Sequence, residues 1–218
     1  MNVKLVIFDC DGVLVDSENI SNQVLAEMLS EQGLHTTLAR ARLAYQGLRL
    51  SEVLKRAQQQ LGHPLPADWL ERYQSKRAER FRSELEPIAG AAEALARVSA
   101  AAVKVCVASQ GALEKTRLTL GLTGLIDHFR ADALFSADSV PRGKPHPDLF
   151  LHAASTMGVA PAQAVVVEDT PLGVIAGTTA GMRVLGYAAD SDAQALQAAG
   201  AEILYSLEDL PSQLGISS

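Results

Sequence analysis

Val3-Lys4-Leu5-Val6-Ile7-Phe8-Asp9-Cys10-Asp11-Gly12-Val13-Leu14 drives a short apolar run straight into two carboxylates one residue apart. A run this short, rich in Val and Ile, reads as a buried strand of a parallel sheet, and ligands of such sheets bind beyond the carboxyl ends of the strands. Asp9 and Asp11 stand at that end. Side chains two apart on a strand share a face, and Gly12 permits a turn immediately afterwards, so the two acids converge on one small site. Convergent carboxylates at a buried strand end repel each other and lose solvation, and a metal ion, a cation or a shared proton must compensate. A hard divalent cation fits best; magnesium takes one or two carboxylates and keeps waters or phosphate oxygens as its other ligands. The competing reading is ordinary Asp-Gly turn chemistry, with Asp9 as a cap.

Three further segments decide between these readings. Val103-Lys104-Val105-Cys106-Val107-Ala108-Ser109 is a second β-branched run, and it ends on a hydroxyl. In Arg142-Gly143-Lys144-Pro145-His146-Pro147-Asp148 the Gly and two prolines fix a loop and a helix start, so Lys144 becomes a placed point charge. Ala164-Val165-Val166-Val167-Glu168-Asp169-Thr170-Pro171 is a third apolar run ending on acids, with Pro171 where a helix would begin. Singly, Ser109 could be a helix cap, Lys144 a surface lysine and Glu168-Asp169 an acid pair at a helix N-terminus.

Taken together, these segments resemble the haloacid dehalogenase superfamily of phosphotransferases over nearly the whole chain. The pattern DxDGxLxDS falls on Asp9, Asp11, Gly12, Leu14, Asp16 and Ser17. The second-strand hydroxyl is Ser109, GKPxPD spans Gly143 to Asp148, and the closing acid pair is Glu168-Asp169. One departure is Gln110, where many members carry Asn or a small residue. The resemblance implies an α/β fold, a Rossmann-like parallel sheet with an inserted all-helical cap: residues 1–15 and 87–218 form the core domain and 16–86 the cap. It further implies a phosphoric monoester hydrolase. Asp9 is the nucleophile, forming an aspartyl-phosphate. Asp11 is the general acid and base and binds the metal through its backbone carbonyl, while Ser109 and Lys144 hold the phosphate oxygens. Mg2+ is held by Asp9 and Asp169, with Glu168 a direct or water-mediated ligand.

Substrate choice, in relatives of this kind, comes from the cap and its loops. Gln46, Arg49, Lys76 and Arg80 are therefore candidates for the far end of a substrate, with Gln110 and Lys144 on the core side. The overall pattern looks closest to bacterial cap-bearing sugar-phosphate phosphatases, including those acting on 6-phosphogluconate. β-Phosphoglucomutase shares the four motifs, but its pattern has a His ten residues after the second Asp and an Arg three residues after the cap-loop Gly; Ser21 and Leu50 stand there. A hydrolase of sugar or sugar-acid monophosphates is thus preferred, with the mutase as the alternative. A true dehalogenase of the family lacks the second Asp, and a phosphonate-cleaving member needs a cap lysine for a Schiff base. Outside the family, a receiver domain would carry its phosphoacceptor alone on a middle strand, and the complete Asp-Asp-Ser-Lys-Asp set argues against a non-catalytic magnesium-binding module.

Composition agrees with a soluble enzyme and adds little beyond that. The chain has 218 residues and a net charge of −6, without a basic tract, so the footprint of a nucleic-acid binder is missing. Cys10 and Cys106 are both expected in buried strands, where a free thiol behaves as a small hydrophobe. No stretch has the zones of a signal peptide or the roughly 20 apolar residues that span a bilayer. A reducing cytoplasm, a small phosphorylated metabolite as partner, no membrane, and a monomer or weak homodimer are expected.

Along the chain, residues 17–85 carry helical periodicity, clearest over Asn22–Leu29, Leu50–Leu61 and Leu70–Leu85. Glu86-Pro87 breaks it, pairing with Val15-Asp16 as hinges, Asp16 serving as a hinge cap. From Ala91 helices and strands alternate, with strands at Ala133–Phe135, Arg183–Tyr187 and Ile203-Leu204. Such alternation implies a parallel sheet with right-handed crossovers.

Overall fold

In the computed structural model, which describes residues 3–216, the opening run becomes the central strand β1 (Leu5–Phe8). All four of its residues are fully buried. Five more strands complete a parallel sheet: β2 (Lys104–Ser109), β3 (Leu134–Ser136), β4 (Ala164–Glu168), β5 (Arg183–Tyr187) and β6 (Glu202–Leu204). Their order is β3-β2-β1-β4-β5-β6. The chain therefore builds outward on one side of β1, then crosses over and builds on the other. A crevice opens at such a reversal, outside the carboxyl ends of the strands.

Alternation along the strands divides the core into two layers. Val6 and Phe8 face one apolar cluster with Leu95 and Val98 of α5 (Ala91–Ala100) and Leu120 of α6 (Leu113–Leu122). Leu5 and Ile7 face the other, with Leu149 and Phe150 of α7 (Asp148–Thr156) and Val174 of α8 (Pro171–Thr179). A strand covered on both faces has no place for a polar residue, which is why the central strand β1 reads as a continuous apolar run.

Between β1 and α5 the chain inserts four helices: α1 (Glu18–Glu31), α2 (Leu38–Tyr45), α3 (Leu50–Leu61) and α4 (Trp69–Glu84). They bury a cluster of their own, around Val24, Leu25, Leu29, Tyr45, Trp69 and Tyr73. The two crossings between insertion and core run side by side: Asp16 N–H donates to Glu86 C=O at 3.0 Å and Ile88 N–H to Leu14 C=O at 2.9 Å. Asp16 takes part in the hinge through its backbone N–H, and the N-cap position of α1 falls on Ser17. Two local expectations need correction. Cys10 lies just past β1 rather than within it, although it is buried. The third strand begins at Leu134, one residue late, because Ala133 spends its N–H on a turn to Arg130 C=O.

Ile7 is fully buried at the centre of the sheet. Ile7→Ala is expected to cost about 2–5 kcal/mol, as a lost transfer energy plus a cavity. Denaturant unfolding with an unchanged m-value would show it, and a loss below 1 kcal/mol would mean that the sheet centre can collapse around the gap.

Candidate active site

The ends of three adjacent strands deliver the site. Asp9 follows β1 directly and its N–H donates to Val167 C=O of β4 at 2.9 Å. That bond sets it beside Glu168, the last residue of β4, while on the other flank β2 ends at Ser109. One carboxylate oxygen from each of Asp9, Glu168 and Asp169 lies within 4.8 Å of the others, and all three residues are buried. Space for the cluster depends on two glycines: a Cβ at Gly12 would run into the Asp169 carboxylate, and one at Gly173 into that of Glu168. Gly12 also has φ +78°, open to glycine at little cost.

Lys144 enters this cluster from the loop before α7. Its Nζ lies 2.5 Å from Asp9 Oδ1 and 2.5 Å from Glu168 Oε1. Glu168 is bound further by Thr170, whose N–H and hydroxyl donate to Oε2 at 2.7 and 2.9 Å. Both Glu168 oxygens are thereby engaged, whereas Asp169 Oδ1 is buried with no hydrogen-bond partner. Burial raises the Asp9 carboxyl to about 7, against the pull of Lys144 and with the help of Glu168 and Asp11. Burial also lifts Asp169, as do the neighbouring Glu168 and Asp9. For Lys144, burial disfavours the ammonium, but Asp9 and Glu168 overcome it and hold the proton on more firmly than usual.

Asp11 is turned to a different set of partners. The Lys115 ammonium on α6 and the Ser17 hydroxyl both donate to its Oδ1, and Ser109 Oγ lies 3.5 Å from its Oδ2. Burial raises its carboxyl, and Lys115 together with Ser17 more than reverses this, leaving it below the ordinary value. Ser109 itself is fully buried and accepts the Gly111 N–H at 3.0 Å.

Above these groups the insertion closes a cavity of about 340 Å³. It is lined on the core side by Asp9, Asp11, Gln110, Lys115, Lys144 and Asp169, and on the insertion side by Glu18, Asn22, Gln46, Arg49, Tyr73 and Arg77. Volumes of this size hold small metabolites. Of the residues expected to meet a substrate, Gln46 lies in this lining. Arg49 does too, but its Nη2 donates to the core carbonyls of Ala137 at 2.6 Å and Val140 at 3.4 Å. It ties insertion to core. Gln110 is also committed: its Oε1 accepts Lys144 N–H at 3.1 Å and its Nε2 donates to Lys144 C=O at 3.4 Å, so it braces the lysine loop.

Lys76 is not brought to the cavity. Its ammonium pairs with Glu27 at 3.0 Å across the α1–α4 contact, because one helical step from Arg77 turns it onto another face of α4. Arg80 is paired with Glu84 and Glu27. Missed from the sequence were Lys115, Glu18, Arg77 and Thr170. Only Thr170 carried a local signal, as the hydroxyl before Pro171, and it does cap α8 by accepting Gly173 N–H at 3.1 Å. Glu18 lies in the cavity wall, its carboxyl raised by burial and by Asp11, and accepts from Asn22 Nδ2 at 3.0 Å.

A parallel sheet that gathers buried acids, a hydroxyl and a lysine at its switch point, beneath a helical insertion, defines a phosphoryl-handling α/β enzyme. The model of the haloacid dehalogenase-like hydrolases matches residues 6–187, and the chain belongs to that family. It is 34% identical over 189 residues to the 6-phosphogluconate phosphatase of Escherichia coli K12, covering 86% of this chain and 84% of that one. With hexitol phosphatase B of the same organism it shares 31% over 183 residues, 83% and 82% of the two chains. A haloacid dehalogenase family hydrolase from Deinococcus radiodurans, with bound phosphate and sodium, superimposes with a TM-score of 0.80 at 32% identity, covering 100% of this chain and 98% of that one.

Asp9 at about 7 stands well above its unfolded value of 3.8. Between those values the folded protein binds more protons than the unfolded chain, so this group's contribution to stability falls as pH rises through the window. A cation in the acid cluster offsets that loss. The rise in melting temperature on adding magnesium is therefore expected to be larger near pH 7.5 than near pH 5. An equal rise at both would show that the charge on Asp9 is not what the ion compensates.

Proposed function

We propose that this protein is a magnesium-dependent phosphatase of sugar or sugar-acid monophosphates, working through an aspartyl-phosphate on Asp9. As a member of its family, with named phosphatases among its relatives, the chain is an enzyme of the phosphoric monoester hydrolase class. The observation that carries the finer reading is the buried Asp9, Glu168, Asp169 and Lys144 cluster opening into the cavity beside Asp11.

The donor set fits a hard divalent cation. It is made of oxygens alone, the Asp9 and Asp169 carboxyls are both raised by burial and by neighbouring carboxylates, and Asp169 Oδ1 has no protein partner. Asp9 and Asp169 would hold the ion through their carboxylates and Asp11 through its carbonyl. Glu168, with both oxygens already engaged, is assigned a water-mediated part. Bound magnesium would supply the positive charge that offsets repulsion between Asp9 and a dianionic phosphate.

In the first step an Asp9 oxygen attacks phosphorus, the bond to the ester oxygen breaks, and the departing alkoxide takes a proton from Asp11. In the second, Asp11 takes a proton from water as that water attacks the acyl phosphate, releasing inorganic phosphate and restoring Asp9. The ionised Asp11 held by Lys115 and Ser17 is ready for the second role; the first requires that pairing to loosen when a leaving group arrives. Ser109 and Lys144 donate to phosphate oxygens, stabilising charge where it grows. The insertion, taken as a cap of residues 16–86 on a core of 1–15 and 87–218, keeps bulk water from the acyl phosphate. Ser21 in the cavity wall, where the mutase pattern has His, supports hydrolysis over phosphoryl return to a sugar.

Phosphate release measured with and without magnesium, over a panel of sugar and sugar-acid phosphates, tests the reading. Asp9→Asn is expected to lower turnover by roughly 10³ or more while its melting transition persists. A variant keeping most of the wild-type rate would remove Asp9 as nucleophile, and metal-independent release would remove the ion.

A further inference from the structure

One loop of the insertion touches both core loops that carry the charged cluster. It joins α2 to α3 and includes Gln46, Gly47, Leu48 and Arg49. A Cβ at Gly47 would lie 3.8 Å from Thr170, the residue that holds Glu168. Two residues on, the Arg49 guanidinium reaches the core ahead of α7. Its Nη2 donates to the Ala137 and Val140 carbonyls, and its Nε, buried without a hydrogen-bond partner, lies against Gly143. The base of the side chain is fastened as well, since Arg49 N–H donates to Glu52 Oε2 at 3.1 Å in the first turn of α3.

Gly143 is buried and its φ lies outside the left-handed region, so its missing side chain serves space rather than conformation. A Cβ there would stand 2.6 Å from Arg49 Nε and 2.7 Å from Gln110 Oε1. The backbone just ahead of Lys144 is thus held between one side chain of the insertion and one of the core. Gln110 also clamps the next residue, accepting Lys144 N–H and donating to Lys144 C=O. From there the Lys144 ammonium bridges Asp9 and Glu168. A buried donor without an acceptor is costly, so Arg49 Nε is kept at this junction by the bonds of Nη2 and by the room that Gly143 leaves.

We propose that Arg49 is a positioning residue: bearing on Gly143 and Gln110, it sets the Lys144 ammonium against Asp9, so that the insertion completes the phosphate site from outside it. This rests on the phosphatase reading of the same site and adds to it. A side chain that grips the far end of a substrate matters only for substrates that have such an end, and chiefly in KM. One that sets Lys144 matters for every phosphate ester, in the step where charge grows on the phosphate oxygens. Arg49 and Gln110 bear on the same stretch of backbone, so their losses are coupled rather than additive.

The test measures kcat and KM, with magnesium, on glucose 6-phosphate and on p-nitrophenyl phosphate, which has no hydroxylated end. It compares wild type with Arg49→Met, Arg49→Lys, Gly143→Ala, Gln110→Ala and the double variant Arg49→Met/Gln110→Ala. Arg49→Met is expected to lower kcat about tenfold on both substrates, the scale of a positioned group that slips. Arg49→Lys should recover part of it, and Gly143→Ala, with Arg49 intact, should repeat the loss. The double variant is expected to fall no more than about twofold below the less active single variant. A variant without a cooperative melting transition is set aside, and Arg49→Lys and Gly143→Ala then carry the comparison. A loss confined to glucose 6-phosphate or to KM, or a double variant that shows the full product of the single losses, overturns the assignment. Release of nitrophenol by the wild type leaves the phosphatase reading standing in those cases. Silence of the wild type on both substrates overturns that reading and this one with it.

Discussion

Asp9, Glu168 and Asp169 are buried within 4.8 Å of one another, and the buried ammonium of Lys144 is set 2.5 Å from two of them. Three carboxylates taken out of water would repel strongly, and burial pushes Asp9 and Asp169 toward their neutral forms. Lys144 offsets part of that cost, and the rest is what a divalent cation would remove. Much else in the molecule serves this compromise. Gln110 braces the loop that carries Lys144, Thr170 fixes Glu168, and two glycines clear the space the carboxylates need.

The sheet supplies the convergence. Because the chain builds first to one side of β1 and then to the other, Asp9 has β2 and β4 as immediate neighbours, and residues about 100 and 160 positions away end beside it. Alternation along β1 sends Leu5 and Ile7 to one layer and Val6 and Phe8 to the other, so the strand is locked from both faces. A rigid platform of this kind holds reacting groups in place without relying on loops.

The insertion divides its charged residues by face. Along α4, Lys76 and Arg80 pair with α1 and hold the helices together, whereas Arg77 turns into the cavity. Positions one apart on a helix point about 100° apart, so adjacent basic residues can have unrelated work. The Arg49 guanidinium, in the loop before α3, bridges to core carbonyls and gives the closed arrangement a specific latch.

What the sequence determined by itself was the acid pair after the first strand, the hydroxyl, the lysine and the second acid pair, together with the alternation that lays them on a parallel sheet. These were legible because each sits at the junction of an apolar run and a turn, where a polar residue stands out against its neighbours. The helix α2 was not singled out: it buries only Ala41 and Tyr45, and its one distinct local mark is the Thr37 cap on Arg40 N–H. Lys115, Arg77 and Glu18 were equally hidden, since each lies within a helix whose charged residues look alike in one dimension. Which of those charges faces the cavity depends on how the insertion packs against the core, and on which lysine finds Asp11. Only the tertiary structure decided that, because it alone brings α4 and α6 together over Phe81.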